Sequence, residues 1–190
     1  MSATAGALAV IPARGGSKGI PGKNLQAVGG LSLVARSVQA AFASRGVDRV
    51  VVSTEDDAIA GEAQSHGAEV VRRPVAIAGD TASSESALLH ALDTLELQGP
   101  LPSRLVFLQC TSPFTSGAQI DQVLTALENP EINSAFAVAP WHGFLWRNDG
   151  RGINHDPQHP RQRRQDLEPA FLETGAIYAM STACFRAEGS

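Results

Sequence analysis

Ile11-Pro12-Ala13-Arg14-Gly15-Gly16-Ser17-Lys18-Gly19-Ile20-Pro21-Gly22-Lys23-Asn24 opens at the end of the apolar run Ala7 to Ile11. An uninterrupted apolar run of this kind suits a strand buried on both faces of a parallel sheet. The segment after it has the chemistry of a phosphate-holding loop. Its glycines leave backbone amides unshielded, Pro12 and Pro21 keep it from becoming helix, and Arg14, Lys18 and Lys23 place three cations close together. No acidic residue precedes Asp48, so this region is locally positive within a chain of net charge -4. Such a field favours a small polyanion.

Two common phosphate motifs are excluded. A Walker A loop ending at Gly22-Lys23 needs glycine in place of Ser17 and Ser or Thr in place of Asn24. The Gly-x-Gly-x-x-Gly dinucleotide pattern is also absent from this loop. At 190 residues and 43% hydrophobic content the chain is expected to form one globular domain with a full core. No apolar stretch approaches the roughly 20 residues that span a bilayer, so no membrane partner is expected. Ser2 to Ile11 lacks the basic start and cleavage site of a secretory signal, which makes the cytoplasm the expected location. Cys110 and Cys184 have no metal-like spacing and fit reduced buried thiols better than a disulfide framework. Net negative charge, with the cations converging on one loop face, argues against nucleic acid as a partner.

Strand-like runs alternate with helical patterns along the chain. Ser32 caps a helix to Arg45 that Gly46 ends, and Arg49 to Val52 is the next strand, closing with Ser53-Thr54. A helix from Thr54 to His66 stops at Gly67, Ala68 to Val71 is a third strand, and a helix spans about Ser84 to Leu97. Leu105 to Gln109 is a fourth strand. Ser116 and Gln119 form a capping box for a helix to Glu128, and Ala135 to Ala139 is a fifth strand. The order predicts an α/β fold with a doubly wound, mostly parallel sheet. From Pro140 to Pro169 the regularity gives way to Gly, Pro, His and Arg, with a hairpin-like Asn148-Asp149-Gly150 turn.

In such a sheet the ligand lies beyond the carboxyl ends of the strands. The residues there are Arg14 to Asn24, Arg72-Arg73, and Gln109 to Pro113. Asp80-Thr81-Ala82-Ser83-Ser84 opens a helix and offers hydroxyls and amides to a ribose or base. Ser83 or Ser84 can instead cap that helix, and one residue can do both. Gln109 presents both a donor and an acceptor, suited to a neutral part of a ligand.

The strings Ile11 to Asn24, Val52-Ser-Thr-Glu-Asp56, Gly79-Asp-Thr-Ala-Ser-Ser84, Leu108-Gln-Cys-Thr-Ser-Pro113, Arg163-Arg-Gln-Asp166 and Gly175-Ala-Ile-Tyr178 resemble, in order, the acylneuraminate cytidylyltransferases, the CMP-sialic acid synthetases. The likeness runs from about residue 7 to 180. Cys110 stands where proline or alanine is more usual, and Thr174 where asparagine commonly precedes Gly-Ala-Ile-Tyr. The resemblance implies a Rossmann-like nucleotidyltransferase with an irregular dimerisation segment. The anomeric hydroxyl of a nine-carbon acidic sugar would attack the α-phosphate of CTP and release pyrophosphate. Catalysis of that kind is mainly placement and charge neutralisation.

On this resemblance Arg14 and Lys23 hold the triphosphate, with Lys18 and the loop amides in support. Asn24, Arg73 and Ser84 hold the nucleotide, with Ser17 and Ser83 as further candidates. Gln109 touches sugar hydroxyls, and Arg163, with Arg164, pairs with the sugar carboxylate. Tyr178, at a strand end, borders the N-acyl pocket or belongs to the core. Residues 140–170 form the candidate dimerisation and sugar-site segment, so a homodimer is expected, and Trp141, Phe144 and Trp146 suit its interface or a local core. Mg2+ is expected from the chemistry, because pyrophosphate leaves poorly until its charge is met. The family's Asp-Ile-Asp motif, beyond Gly-Ala-Ile-Tyr, is missing, so residues 1–190 are read as a single cytidylyltransferase domain without the family's C-terminal strand and helix, and no metal ligand is assigned.

Overall fold

The computed structural model describes residues 6–17, 19–79 and 82–189, apart from the side chain of Arg164. Its elements in chain order are β1 (Ala7–Pro12), β2 (Ala27–Val28), β3 (Leu31–Ser32), α1 (Leu33–Phe42), β4 (Val47–Thr54), α2 (Asp57–Ser65), β5 (Glu69–Arg72), α3 (Ser84–Glu96), β6 (Arg104–Leu108), α4 (Gly117–Ala126), β7 (Ser134–Trp141), β8 (Ala170–Ser181) and α5 (Thr182–Glu188). The main sheet has the order β5-β4-β1-β6-β8-β7, while β2 and β3 form a small separate hairpin. β1 pairs in parallel with β4 and with β6, and β4 in parallel with β5; β8 runs antiparallel to β6. The five strands read from sequence are present. The long β8 is an addition to them, and it enters between β6 and β7.

The strands read as continuous apolar runs because both faces are covered. Side chains alternate across the pleat, so Ala7, Ala9 and Ile11 of β1 face one core with Val34 and Val38 of α1, Ile59 of α2 and Ile120 of α4. Leu8 and Val10 face the other, with Leu88, Leu92 and Leu95 of α3 and Phe185 of α5. Burying one such Leu or Val contributes on the order of 1.5–3 kcal/mol. Arg186 pins α5 to α3 through Asp93 and Glu96, each at 3.0 Å.

The helices begin where hydroxyl and carboxylate caps stand. Ser32 caps α1, Asp56 caps α2, Ser83 caps α3, and Ser116 with Gln119 makes the full capping box of α4. α2 starts at Asp57 rather than Thr54, because Asp56 takes the cap and Thr54 still belongs to β4.

The chain divides into two compact units, one of residues up to Ala137 and from Gly175 onward, the other Val138–Thr174. In the second, Gly150 adopts φ 81° in a turn closed by its amide onto Arg147, and Trp146 bridges Gly152. Phe144 and Trp146 pack edge-on against His155, with centroids at 4.8 and 4.5 Å, and the Arg161 guanidinium lies 4.9 Å from the Phe144 ring centre. Among the described residues no helix is long and apolar enough to cross a membrane.

Candidate functional site

An open cavity of about 340 Å³ lies in the first unit, where the loops after β1, β5 and β6 meet the start of α3. Arg14, Ser17, Lys23, Asn24, Arg73, Ser83, Ser84 and Gln109 all line it. Eight of the residues singled out from sequence are thus brought to one place. The sheet order explains the convergence: connections from β1 and β6 leave in opposite directions, and the crevice forms where they part.

The phosphate loop is held in shape from within. Asn24, buried, donates from Nδ2 to the Arg14 carbonyl at 3.0 Å, and Arg14 donates from Nη1 to the Gly79 carbonyl at 2.8 Å. Gly22 takes the left-handed conformation, φ 61°, that turns the chain into a short 3-10 turn carrying Lys23 and Asn24. The Lys23 ammonium makes no hydrogen bond or ion pair among the described residues, so its charge is available to the cavity. Lys18, Asp80 and Thr81 lie outside the described residues.

Arg73 is the most enclosed cation of the site among the described residues. Its side chain is 5% exposed, and Nη2 pairs at 3.2 Å with Oε2 of Glu55, itself 17% exposed. Nε is buried with no hydrogen-bond partner. The other Glu55 oxygen, Oε1, accepts from the Gly15 amide at 2.8 Å. One of the loop amides expected to be open to a ligand is therefore taken. Sequence reasoning assigns no role to Glu55; the available signal is a carboxylate directly after a buried strand, inside the string Val52 to Asp56.

Ser83 accepts from the Ser86 amide at 3.2 Å, so it caps α3 while also lining the cavity. Gln109 accepts from the Thr111 hydroxyl at 3.4 Å, and its backbone amide donates to Ala176 of β8. A β-carbon at Gly175, φ 69°, would lie 3.9 Å from Gln109 Oε1 and 4.0 Å from the Tyr178 hydroxyl, so each of these polar groups lies near Gly175, while only Gln109 lines the cavity. Tyr178 sits within β8 rather than at its end, and its ring stacks on Phe107 at 5.4 Å. Cys110 forms part of the floor, where burial pushes its thiol up to about 11.

Arg163 belongs to the second unit, at the start of a 3-10 turn spanning Arg164–Asp166, and the Arg164 side chain lies outside the described residues. Among the described residues no three His, Cys, Asp or Glu side chains form a group that could hold a metal ion. The described lining of the cavity carries arginine, lysine and neutral groups but no carboxylate, a donor set that does not fit a divalent cation.

Residues 8–145 match the cytidylyltransferase family. The chain is 33% identical over 182 residues to an N-acylneuraminate cytidylyltransferase of Oncorhynchus mykiss, covering 92% of this chain and 41% of that one. It is 30% identical over 177 residues to a pseudaminic acid cytidylyltransferase of Campylobacter jejuni, covering 90% of this chain and 76% of that one. Among solved structures, a CMP:2-keto-3-deoxy-manno-octonic acid synthetase complexed with CTP superposes with a TM-score of 0.73 at 19% identity, over 96% of this chain and 77% of that one. That last likeness is one of fold. The chain belongs to the cytidylyltransferase family, and it spans less than half the length of the Oncorhynchus relative.

Proposed function

We propose that this chain transfers CMP from CTP to the anomeric hydroxyl of N-acetylneuraminate or a related nine-carbon acidic sugar, releasing pyrophosphate. The observation that carries the reading is the convergence of Arg14, Lys23 and Arg73 with the neutral donors Ser83, Ser84 and Gln109 on one cavity whose described lining holds no carboxylate. Arg14 and Lys23 suit a triphosphate, and Arg73 with the hydroxyls and amide suits the rest of the ligand.

In this reading Lys23 and Arg14 meet the charge of the triphosphate, and Asn24 holds the loop that carries them. Ser17 and Lys18 support the phosphates, Arg73, Ser83 and Ser84 orient the nucleotide, and Gln109 with Tyr178 faces the sugar. Arg163, with Arg164, pairs with the sugar carboxylate, and the segment 140–170 mediates a homodimer. Magnesium stays part of the proposal as the cation that accompanies CTP, and no residue of the described cavity lining is assigned to hold it.

A second acceptor is favoured by one observation. The pseudaminic acid relative is about as similar as the N-acylneuraminate relative, and this chain covers more of its length. The test is pyrophosphate release from CTP with magnesium and N-acetylneuraminate, beside pseudaminate, legionaminate and sugar-free controls. Release that depends on N-acetylneuraminate supports the reading, and release only with another acid reassigns the acceptor. CTP binding without release under any condition makes this chain a nucleotide-binding module.

A further inference from the structure

We infer that Glu55 is a positioning residue of the nucleotide site, one carboxylate that sets both the phosphate loop and Arg73; the inference rests on the CTP reading above. Glu55 is not among the residues lining the cavity, so it acts through others. It follows the last residue of β4, the strand that lies between β5 and β1. On one side the Ala13 amide extends the ladder to Ser53, and on the other the Arg73 amide extends it to Thr54. The Glu55 side chain then joins the same two neighbours beyond the ladder, taking the Gly15 amide at 2.8 Å and Arg73 Nη2 at 3.2 Å.

This arrangement leaves Arg73 with a definite task. A guanidinium as enclosed as this one requires a counter-charge, and Glu55 supplies it at Nη2. Nε remains buried, without a partner, on a side chain that lines the cavity. A buried donor left open in this way is costly unless a ligand oxygen completes it. The occupant that fits is an oxygen-rich nucleotide, with Arg73 held in the orientation that its pairing to Glu55 fixes.

The chemistry of substitution separates the two contacts. In Glu55→Gln the carbonyl oxygen still accepts from Gly15, but the amide nitrogen faces Arg73 donor to donor. In Glu55→Asp the charge is kept, but the shorter side chain cannot span both partners. The experiment is calorimetric titration of CTP into the wild type, E55Q, E55D, R73A and E55Q/R73A, with thermal unfolding to establish that each is folded, and steady-state kinetics alongside.

E55Q is expected to weaken CTP about tenfold or more, the scale of one charge-assisted contact. The double variant should bind CTP no more weakly than R73A, and the KM for CTP should rise while the KM for the sugar holds within about twofold. E55D should also lose affinity, which keeps the test open if E55Q does not fold. Wild-type CTP affinity in either folded Glu55 variant, or an E55Q loss that adds in full to that of R73A, overturns the positioning role. Absence of CTP binding by the wild type overturns instead the nucleotide reading beneath it.

Discussion

The Asn24 side-chain amide donates to the Arg14 carbonyl at 3.0 Å, so the two ends of the phosphate loop are tied by a part-buried contact. Between them the chain carries Gly15, Gly16, Gly19 and Gly22, a stretch with little intrinsic stiffness. Asn24→Ala removes the tie and should raise the KM for CTP by roughly tenfold while costing about 0.5–1.5 kcal/mol of stability, the net scale of one hydrogen bond. Steady-state kinetics and denaturant titration of the same preparation check both numbers.

Lys23 makes no ion pair among the described residues and faces the cavity. Lys23→Ala should therefore weaken CTP by about tenfold to a hundredfold, with stability changed by no more than about 0.5 kcal/mol. Unchanged nucleotide kinetics in the folded variant would remove Lys23 from the site.

Arg163→Ala is expected to lose sugar-dependent pyrophosphate release while retaining CTP affinity within about twofold, since its assigned partner is the acceptor carboxylate. Equilibrium binding of CTP and turnover with sugar, measured on one preparation, separate these effects. Turnover at the wild-type rate would refute the assignment.

Cys110 bears on pH. Burial raises its thiol from the ordinary 9.0 to about 11, so on an alkaline titration the unfolded chain loses its proton first. Stability should then fall as pH rises from about 9 towards 11, by roughly 2–3 kcal/mol for the full shift. Denaturant titrations at pH 8 and pH 10.5 should show the loss in the wild type, and Cys110→Ala should flatten it. In the native protein at pH 8 the thiol should also resist iodoacetamide.

Gly117 opens α4, and a β-carbon there would fall on the backbone of Ala43 and Ser44 at the end of α1. Backbone cannot step aside as a flexible side chain can. Gly117→Ala should destabilise the fold by about 1–3 kcal/mol despite the better helix propensity of alanine. A midpoint at or above that of the wild type would show that the two helices separate freely.

Local features are legible in the order of residues alone. Ser32, Ser83 and the Ser116–Gln119 pair announce helix starts because capping joins residues three apart, and a sequence displays that spacing directly. The apolar run at β1 announces a strand covered on both faces. Eight site residues are readable because each follows a strand or opens a helix at the edge where the loops of a doubly wound sheet gather. By contrast, the absence of acidic residues before Asp48 suggests a phosphate loop with only cations around it. The fold brings Glu55 against Gly15, 40 residues away in sequence.

The sequence by itself determined the alternation of elements, the cationic glycine loop and the family resemblance, all of which rest on periodicity, capping and short strings. Tertiary structure alone decided that β8 enters antiparallel beside β6, carrying Tyr178 onto Phe107 and Gly175 beside Gln109. It also decided that one glutamate links the loops after β1 and β5. Both outcomes depend on strand order and register, which bring together residues with no fixed spacing along the chain, and no local pattern encodes that meeting.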